Sequence, residues 1–281
     1  MSRSRPFIQC DVFTDTPTRG NALAVVLEGG DLSDEAMFAF AAWTNLAETT
    51  FLLPAKDPTA DYELRIFTPA REMLFAGHPT LGSCAAWLHA GGTPKQAGVV
   101  RQECGVGIVD IQLNGSVPAF VAPPTDILAM SQKEEKAIAS KLNIDAHTIL
   151  ASATLNNGPE WKVFELATAE AVLNVDSSKV QWPDDNCIGL IGAHPKNSEC
   201  AYEVRTLAPS SGMSEDPITG SLNSALAHWF ESRNQLPDEM VIAQGTVINR
   251  KGRVYVSRDL KNHRVLIGGH SHILIEGSVQ L

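Results

Sequence analysis

Short apolar runs bounded by turn residues recur along the whole chain. FIQCDVF (7–13) and LAVVL (23–27) predict strands joined by the turn-rich DTPTRGN. SDEAMFAFAAWTN predicts a helix, with Ser33 as N-cap and Asp34 and Glu35 where the helix dipole favours acids. The apolar window AMFAFAAWTNLAETTFLLP reads as a core helix running into a buried strand. TTFLLP and YELRIFT are strands, and a helix runs from about Thr80 to a stop at Gly91-Gly92. VVRQEC, GIVDIQL and VPAFVAP are further strands. A Pro-rich stretch over 121–130 then suggests a domain boundary, dividing the chain into 1–122 and 123–281, with the last strand able to pack back on the first domain.

MSQKEEKAIASKL opens on a capping box, Ser131 with Glu134. The second half then repeats the plan: strands ILASATL, WKVFEL, CIGLIGA and YEVRTL, the apolar helix SLNSALAHWFESR, and strands VIAQG, RVYVSRD, RVLIGG and HILIEG. A helix with little polar surface must be covered on all sides, so the strands of each half are expected to curl around it.

Three ordered matches, the third running from the serine into SCAAWL and SLNSALAHWF, support a duplication, and an upstream extension adds a fourth. YELRIFTP (62–69) resembles YEVRTLAP (202–209), and HPTLGS (78–83) resembles DPITGS (216–221), which sets His78 opposite Asp216. ETTFLLPA (48–55) against NCIGLIGA (186–193) sets Glu48 opposite Asn186.

Composition narrows the function classes. The chain has 281 residues, 44% of them hydrophobic and 19% charged, which suits a folded protein of two domains. A net charge of -10 argues against nucleic acid or an anionic membrane as partner, since both need a basic face. Five scattered cysteines without a CxxC fit a reducing cytoplasm better than a disulfide framework. No apolar stretch follows the N-terminal arginines as a signal peptide would require. His270 and His272 share a strand face but have no third ligand nearby, so no metal is expected.

The candidate chemistry lies at the repeated turn. A Gly-Ser pair before an apolar helix either caps that helix or offers its orphan N–H groups to an anion such as a carboxylate. Both readings stand for Ser83 and Ser221. Glu48 lies between an apolar helix and an apolar strand; it is either a solvated strand-edge carboxylate or a general acid/base with a pKa raised by burial. His78 and Asp216 are either hydrogen-bonded turn residues or partners in that chemistry.

DVFTDTPTRGNALAVVL, NLAETTF, FTPAREMLFAGHPTLGS and GMSEDPITGS, with the late QG and the closing GG…IEG, resemble the PhzF family of phenazine-biosynthesis-like isomerases. The resemblance covers nearly the whole chain. It implies an α+β fold of two pseudo-symmetric domains, each a barrel-like, mostly antiparallel sheet around a central helix, as in diaminopimelate epimerase. It also implies a homodimer and a cofactor-independent proton shift on a small carboxylate-bearing substrate held between the domains. Carried onto this sequence, Glu48 is the acid/base and His78 and Asp216 orient or protonate the substrate. Gly77, Gly220 and Ser221 bind its carboxylate, and Asn21 of the GN pair reaches it. The related epimerases use one cysteine per domain; neither turn here carries one. The alternatives are a carboxylate-binding protein without turnover and an amino-acid epimerase.

Overall fold

The computed structural model describes residues 2–181, 184, 185, 187–208 and 214–281. Asn186, set opposite Glu48 by the repeat, lies outside the described residues, as do Pro209, Gly212 and Met213 of the second-half motifs.

The first elements are β1 (Ser4–Val12), β2 (Asn21–Val26), α1 (Asp34–Thr44), β3 (Glu48–Leu53), β4 (Tyr62–Phe67) and β5 (Glu72–Met73). They are followed by α2 (Gly77–His89), β6 (Val99–Cys104), β7 (Gly107–Gln112) and β8 (Ala119–Val121). Next come β9 (Asp126–Leu128), α3 (Gln132–Lys141), β10 (Ile149–Asn156), β11 (Glu160–Leu166), α4 (Ala169–Leu173), β12 (Ile188–Ala193) and β13 (Tyr202–Leu207). The chain closes with β14 (Glu215–Asp216), α5 (Gly220–Ser232), β15 (Glu239–Gln244), β16 (Gly252–Asp259), β17 (Arg264–Gly268) and β18 (Ser271–Gln280). Among the described residues no helix is long and apolar enough to cross a membrane.

Residues 1–121 and 268–281 form one compact unit, and 122–267 form the other. The return of 268–281 to the first unit follows from strand pairing, since β18 lies antiparallel to β1 along nearly its whole length. In the first unit the strands run β18-β1-β2-β3-β4-β6-β7-β8, with β2–β3 and β4–β6 parallel and the rest antiparallel. Helix α2 touches β18 at one end of that order and β8 at the other, as well as β1 to β4. The sheet therefore curls around the helix. Nine residues of α2 are buried, from Gly77 to Ala86. Alternation along β3 serves both faces: the Thr50 hydroxyl meets Ser83 on α2, while Phe51 packs with Met37 and Phe40 of α1 outside the sheet.

The second unit follows the same plan. Its order is β9-β10-β11-β12-β13-β15-β16, with β11–β12 and β13–β15 parallel and the other pairs antiparallel. Each pairing sense from β10 to β16 matches that from β1 to β7. Helix α5 touches β10 and β16, near opposite ends of the order. On the outer face α3 and α4 supply Ala139, Leu142 and Val172 to a core with Phe164, Leu190 and Leu207. The molecule is thus α+β, with two pseudo-symmetric barrel-like units.

Local expectations met tertiary context in three places. Ser33 and Ser131 do cap their helices, accepting from the N–H groups of Ala36 and Glu134. Helix α1, however, is a surface helix and not a core one. It buries Met37, Phe40 and Ala41, while Trp43 remains 79% exposed, because the interior already holds α2. Helix α2 begins at Gly77, three residues before Thr80, because a proline in the first turn lacks only an N–H that has no helical partner anyway.

That earlier start changes the repeat register. The Arg65–Glu72 pair and the Arg205–Glu215 pair are both bidentate, joining β4 to the short β5 and β13 to the short β14. Thr80 and Asn223 each donate to the carbonyl of the residue before their helix, at 2.9 Å, and each meets a glutamine, Gln102 or Gln244. From Glu72/Glu215 through Gly77/Gly220 the offset is 143 (215 − 72, 220 − 77), whereas Arg65/Arg205 differ by 140. A three-residue insertion between β13 and β14, relative to β4 and β5, explains the change. His78 is therefore the counterpart of Ser221, and Asp216 that of Met73. The HPTLGS and DPITGS match sits five residues out of register.

Candidate active site

In the first unit three elements bring their first residues together. Asn21 begins β2, Glu48 begins β3 two registers along the parallel pair, and Gly77-His78 begin α2. Glu48 Oε2 lies 3.2 Å from His78 Nε2, with side chains 14% and 5% exposed. The approach is too poorly aligned for a hydrogen bond. On the other side of the ring, Asn21 Nδ2 lies 3.3 Å from His78 Nδ1. Burial pushes the His78 pKa down from 6.5 to about 3, because the protein interior penalises the charged ring. His78 is therefore neutral, and the contact joins an imidazole to a carboxylate, not two full charges.

This burial has a measurable consequence. Below pH 6.5 the unfolded chain binds a proton at His78 that the folded chain refuses until about pH 3. The sign is a loss of stability as pH falls through that window. His78→Gln is expected to flatten the acid limb between pH 6.5 and 3, measured as urea midpoints against pH. An unchanged slope would mean His78 titrates normally.

The glycine-serine pair of this unit serves packing. Gly82 and Ser83 lie in the second turn of α2, not at its entrance. A Cβ on Gly82 would come within 2.6 Å of Leu23 and 2.8 Å of Val12, so its absence lets the helix lie against β1 and β2. The Ser83 hydroxyl is 2.9 Å from that of Thr50. Ser83 neither caps nor faces solvent. The residue preceding α2 is Ala76, which has no side-chain cap bond, so the first-turn N–H groups are left to other acceptors.

The second unit assembles Asp216, Gly220 and Ser221 with residues the motif reading did not single out. Thr219 precedes α5, again without a side-chain cap bond. Its hydroxyl lies 2.5 Å from Asp216 Oδ2, in the range of a charge-assisted bond, and 2.8 Å from the Thr206 hydroxyl. Gln244 ties this group together. Its Oε1 accepts from the Thr219 N–H and from Asn223 Nδ2, and its Nε2 donates to Thr206, Thr219 and the Asp216 carbonyl. Gly220 is buried and Ser221 half-buried, and the Ser221 carbonyl accepts from Asn157. The QG pair in the family pattern was the sequence signal for Gln244; Thr206 lies inside a strand and left none.

The remaining candidates lie apart from these groups. His270 faces Asp15 at 3.6 Å, and His272 Nε2 meets the Thr14 carbonyl, so the two histidines take different partners. Cys10 and Cys84 are fully buried, and burial pushes both thiols up to about 12. Neither is a thiolate at neutral pH.

Comparison with known proteins agrees with this architecture. The chain is 35% identical to Antisense-enhancing sequence 1 of Schizosaccharomyces pombe over 96% of its length and 97% of the relative's. It is 30% identical to the trans-2,3-dihydro-3-hydroxyanthranilate isomerase of Pseudomonas aeruginosa, over 98% and 99%. Its fold superposes on the crystal structure of a Bacillus anthracis phenazine biosynthesis protein of the PhzF family with a TM-score of 0.80, at 22% identity, covering 99% of this chain and 100% of that one. The model of the phenazine biosynthesis-like family PhzC-PhzF matches residues 10–277, and by that match and those relatives the chain belongs to this family.

Proposed function

We propose that the protein is an isomerase that moves a proton between carbons of a small carboxylate-bearing substrate, with Glu48 as the acid/base. The observation that carries this reading is the Glu48–His78 pair: a nearly buried carboxylate 3.2 Å from a neutral, buried imidazole, beside a helix start without a side-chain cap. Glu48 takes the proton from carbon, and the developing enolate is stabilised by N–H donors and dipoles already in place. The Glu48 carboxyl exchanges its proton with solvent and delivers a proton to a nearby carbon. Atoms and electrons balance without an oxidant or a cofactor, since one C–H bond breaks and another forms.

In this reading Gly77, Gly220 and Ser221 bind the substrate carboxylate. Asp216, oriented by Thr219, serves as hydrogen-bond partner or proton donor. The elevated thiol pKa values in the first unit favour this one-carboxylate scheme over a two-thiol epimerase.

The relative from Pseudomonas aeruginosa is named for trans-2,3-dihydro-3-hydroxyanthranilate, which makes that compound and cyclic analogues the first substrates to try. In D2O the protein is expected to isomerise a member of that set, with the proton NMR spectrum showing where deuterium enters. Tight binding across the set with no exchange and no isomer formed would instead make the protein a carboxylate binder without turnover.

A further inference from the structure

We propose that Asn21 is a positioning residue which fixes the tautomer of His78 and does not itself contact the substrate. The functional weight of this inference rests on the proposed role of the Glu48–His78 pair. The tautomer assignment stands on geometry alone.

Asn21 is 2% exposed, so its side chain has little surface to offer a ligand. An amide nitrogen donates and cannot accept. With Asn21 Nδ2 at 3.3 Å, His78 Nδ1 is therefore the bare nitrogen, and the single proton of the neutral ring sits on Nε2. The far side of the ring gives the same answer independently. Nε2 stands 3.2 Å from Glu48 Oε2; the two are not aligned as a hydrogen bond, but beside a carboxylate oxygen an N–H dipole is favoured over a bare, electron-rich nitrogen. Two contacts from two different strands thus select one tautomer.

The backbone around Asn21 is held to match. Asn21 pairs with Val12 across β1 and β2. The preceding Gly20 donates to Asp11 Oδ2 at 3.0 Å, and a Cβ there would come within 2.3 Å of the Val12 carbonyl. No other residue fits at Gly20 without moving the amide that reaches His78. The consequence for chemistry is definite: His78 presents an N–H, a donor to a carboxylate or a developing oxyanion, and leaves base duty to Glu48.

The test is imidazole nitrogen NMR on the full chain labelled with 15N-histidine, with His78→Gln identifying the His78 signals by their loss. At neutral pH the native protein is expected to show Nδ1 as a bare nitrogen and Nε2 as a protonated one. Asn21→Asp presents only acceptors to Nδ1 and is expected to move a proton onto it. Asn21→Leu, which removes the donor without adding charge, is expected to bring both shifts towards an averaged value. A native spectrum with the proton on Nδ1 overturns the proposal, as does a native pattern persisting in either folded variant. A mere loss of packing would lower stability without moving these shifts. If the tautomer behaves as expected while no substrate exchanges deuterium, the catalytic reading fails and the role of Asn21 in orienting the ring survives.

Discussion

Glu48→Gln is expected to slow deuterium incorporation into a substrate by about 10² to 10⁴-fold, the usual contribution of a positioned general acid/base. Glutamine keeps the shape of the side chain, so the pocket should hold. Substrate affinity, read by calorimetry or thermal shift, should therefore change far less than the rate. This split separates the loss of a proton carrier from the loss of a binding surface. Exchange at the native rate in Glu48→Gln would assign the proton transfer elsewhere. His78→Gln is the informative companion, because it leaves the carboxylate in place and removes only the ring beside it.

Glu215→Ala is expected to destabilise the second unit by about 3–5 kcal/mol, the cost of leaving a buried charge without its partner. Arg205 and Glu215 have side chains 0% and 1% exposed, joined by bonds of 3.0 and 2.7 Å. Arg205 also donates to the carbonyls of Val172, Leu173 and Val175, which anchors it after the carboxylate is gone. The duplicated fold supplies the control. Glu72 makes the same bidentate pair with Arg65, but there the side chains are 43% and 19% exposed. Water can solvate Arg65 when its partner is lost, so Glu72→Ala should cost only about 0–1 kcal/mol. Urea denaturation of both variants measures the contrast. Equal losses would show that burial is not what separates the two pairs.

The comparison of these pairs also shows how far the sequence could be read. Alternation of apolar positions, with Gly, Pro and Asn at the breaks, marked most of the strands and the two enclosed helices. Two near-copies of one strand-rich plan gave away the duplication. The two-residue strands β5 and β14 escaped notice because two residues carry no period. Helix α1 was misjudged as core because its apolar residues are numerous; which of them are covered depends on the sheet face they meet. The repeat register failed at the turn for a related reason. Identical letters in HPTLGS and DPITGS suggested equivalence, but the equivalent atoms are carbonyls, hydroxyls and amides belonging to different letters, Thr80 and Asn223 among them. Hydrogen bonds conserve geometry, and unlike side chains can satisfy it.

The chemical roles divide along the same line. That Glu48 and His78 were candidate groups was legible from residue type and motif. That His78 is neutral, that Asn21 faces its ring, and that Ser83 is a packing residue were not, because each depends on neighbours far along the chain. By itself, then, the sequence determined the class of fold, its doubling and a short set of candidate groups, since local periodicity and turn chemistry act over a few residues. Only the tertiary structure decided burial, register and protonation, because those follow from which distant strands and helices remove water from a given side chain.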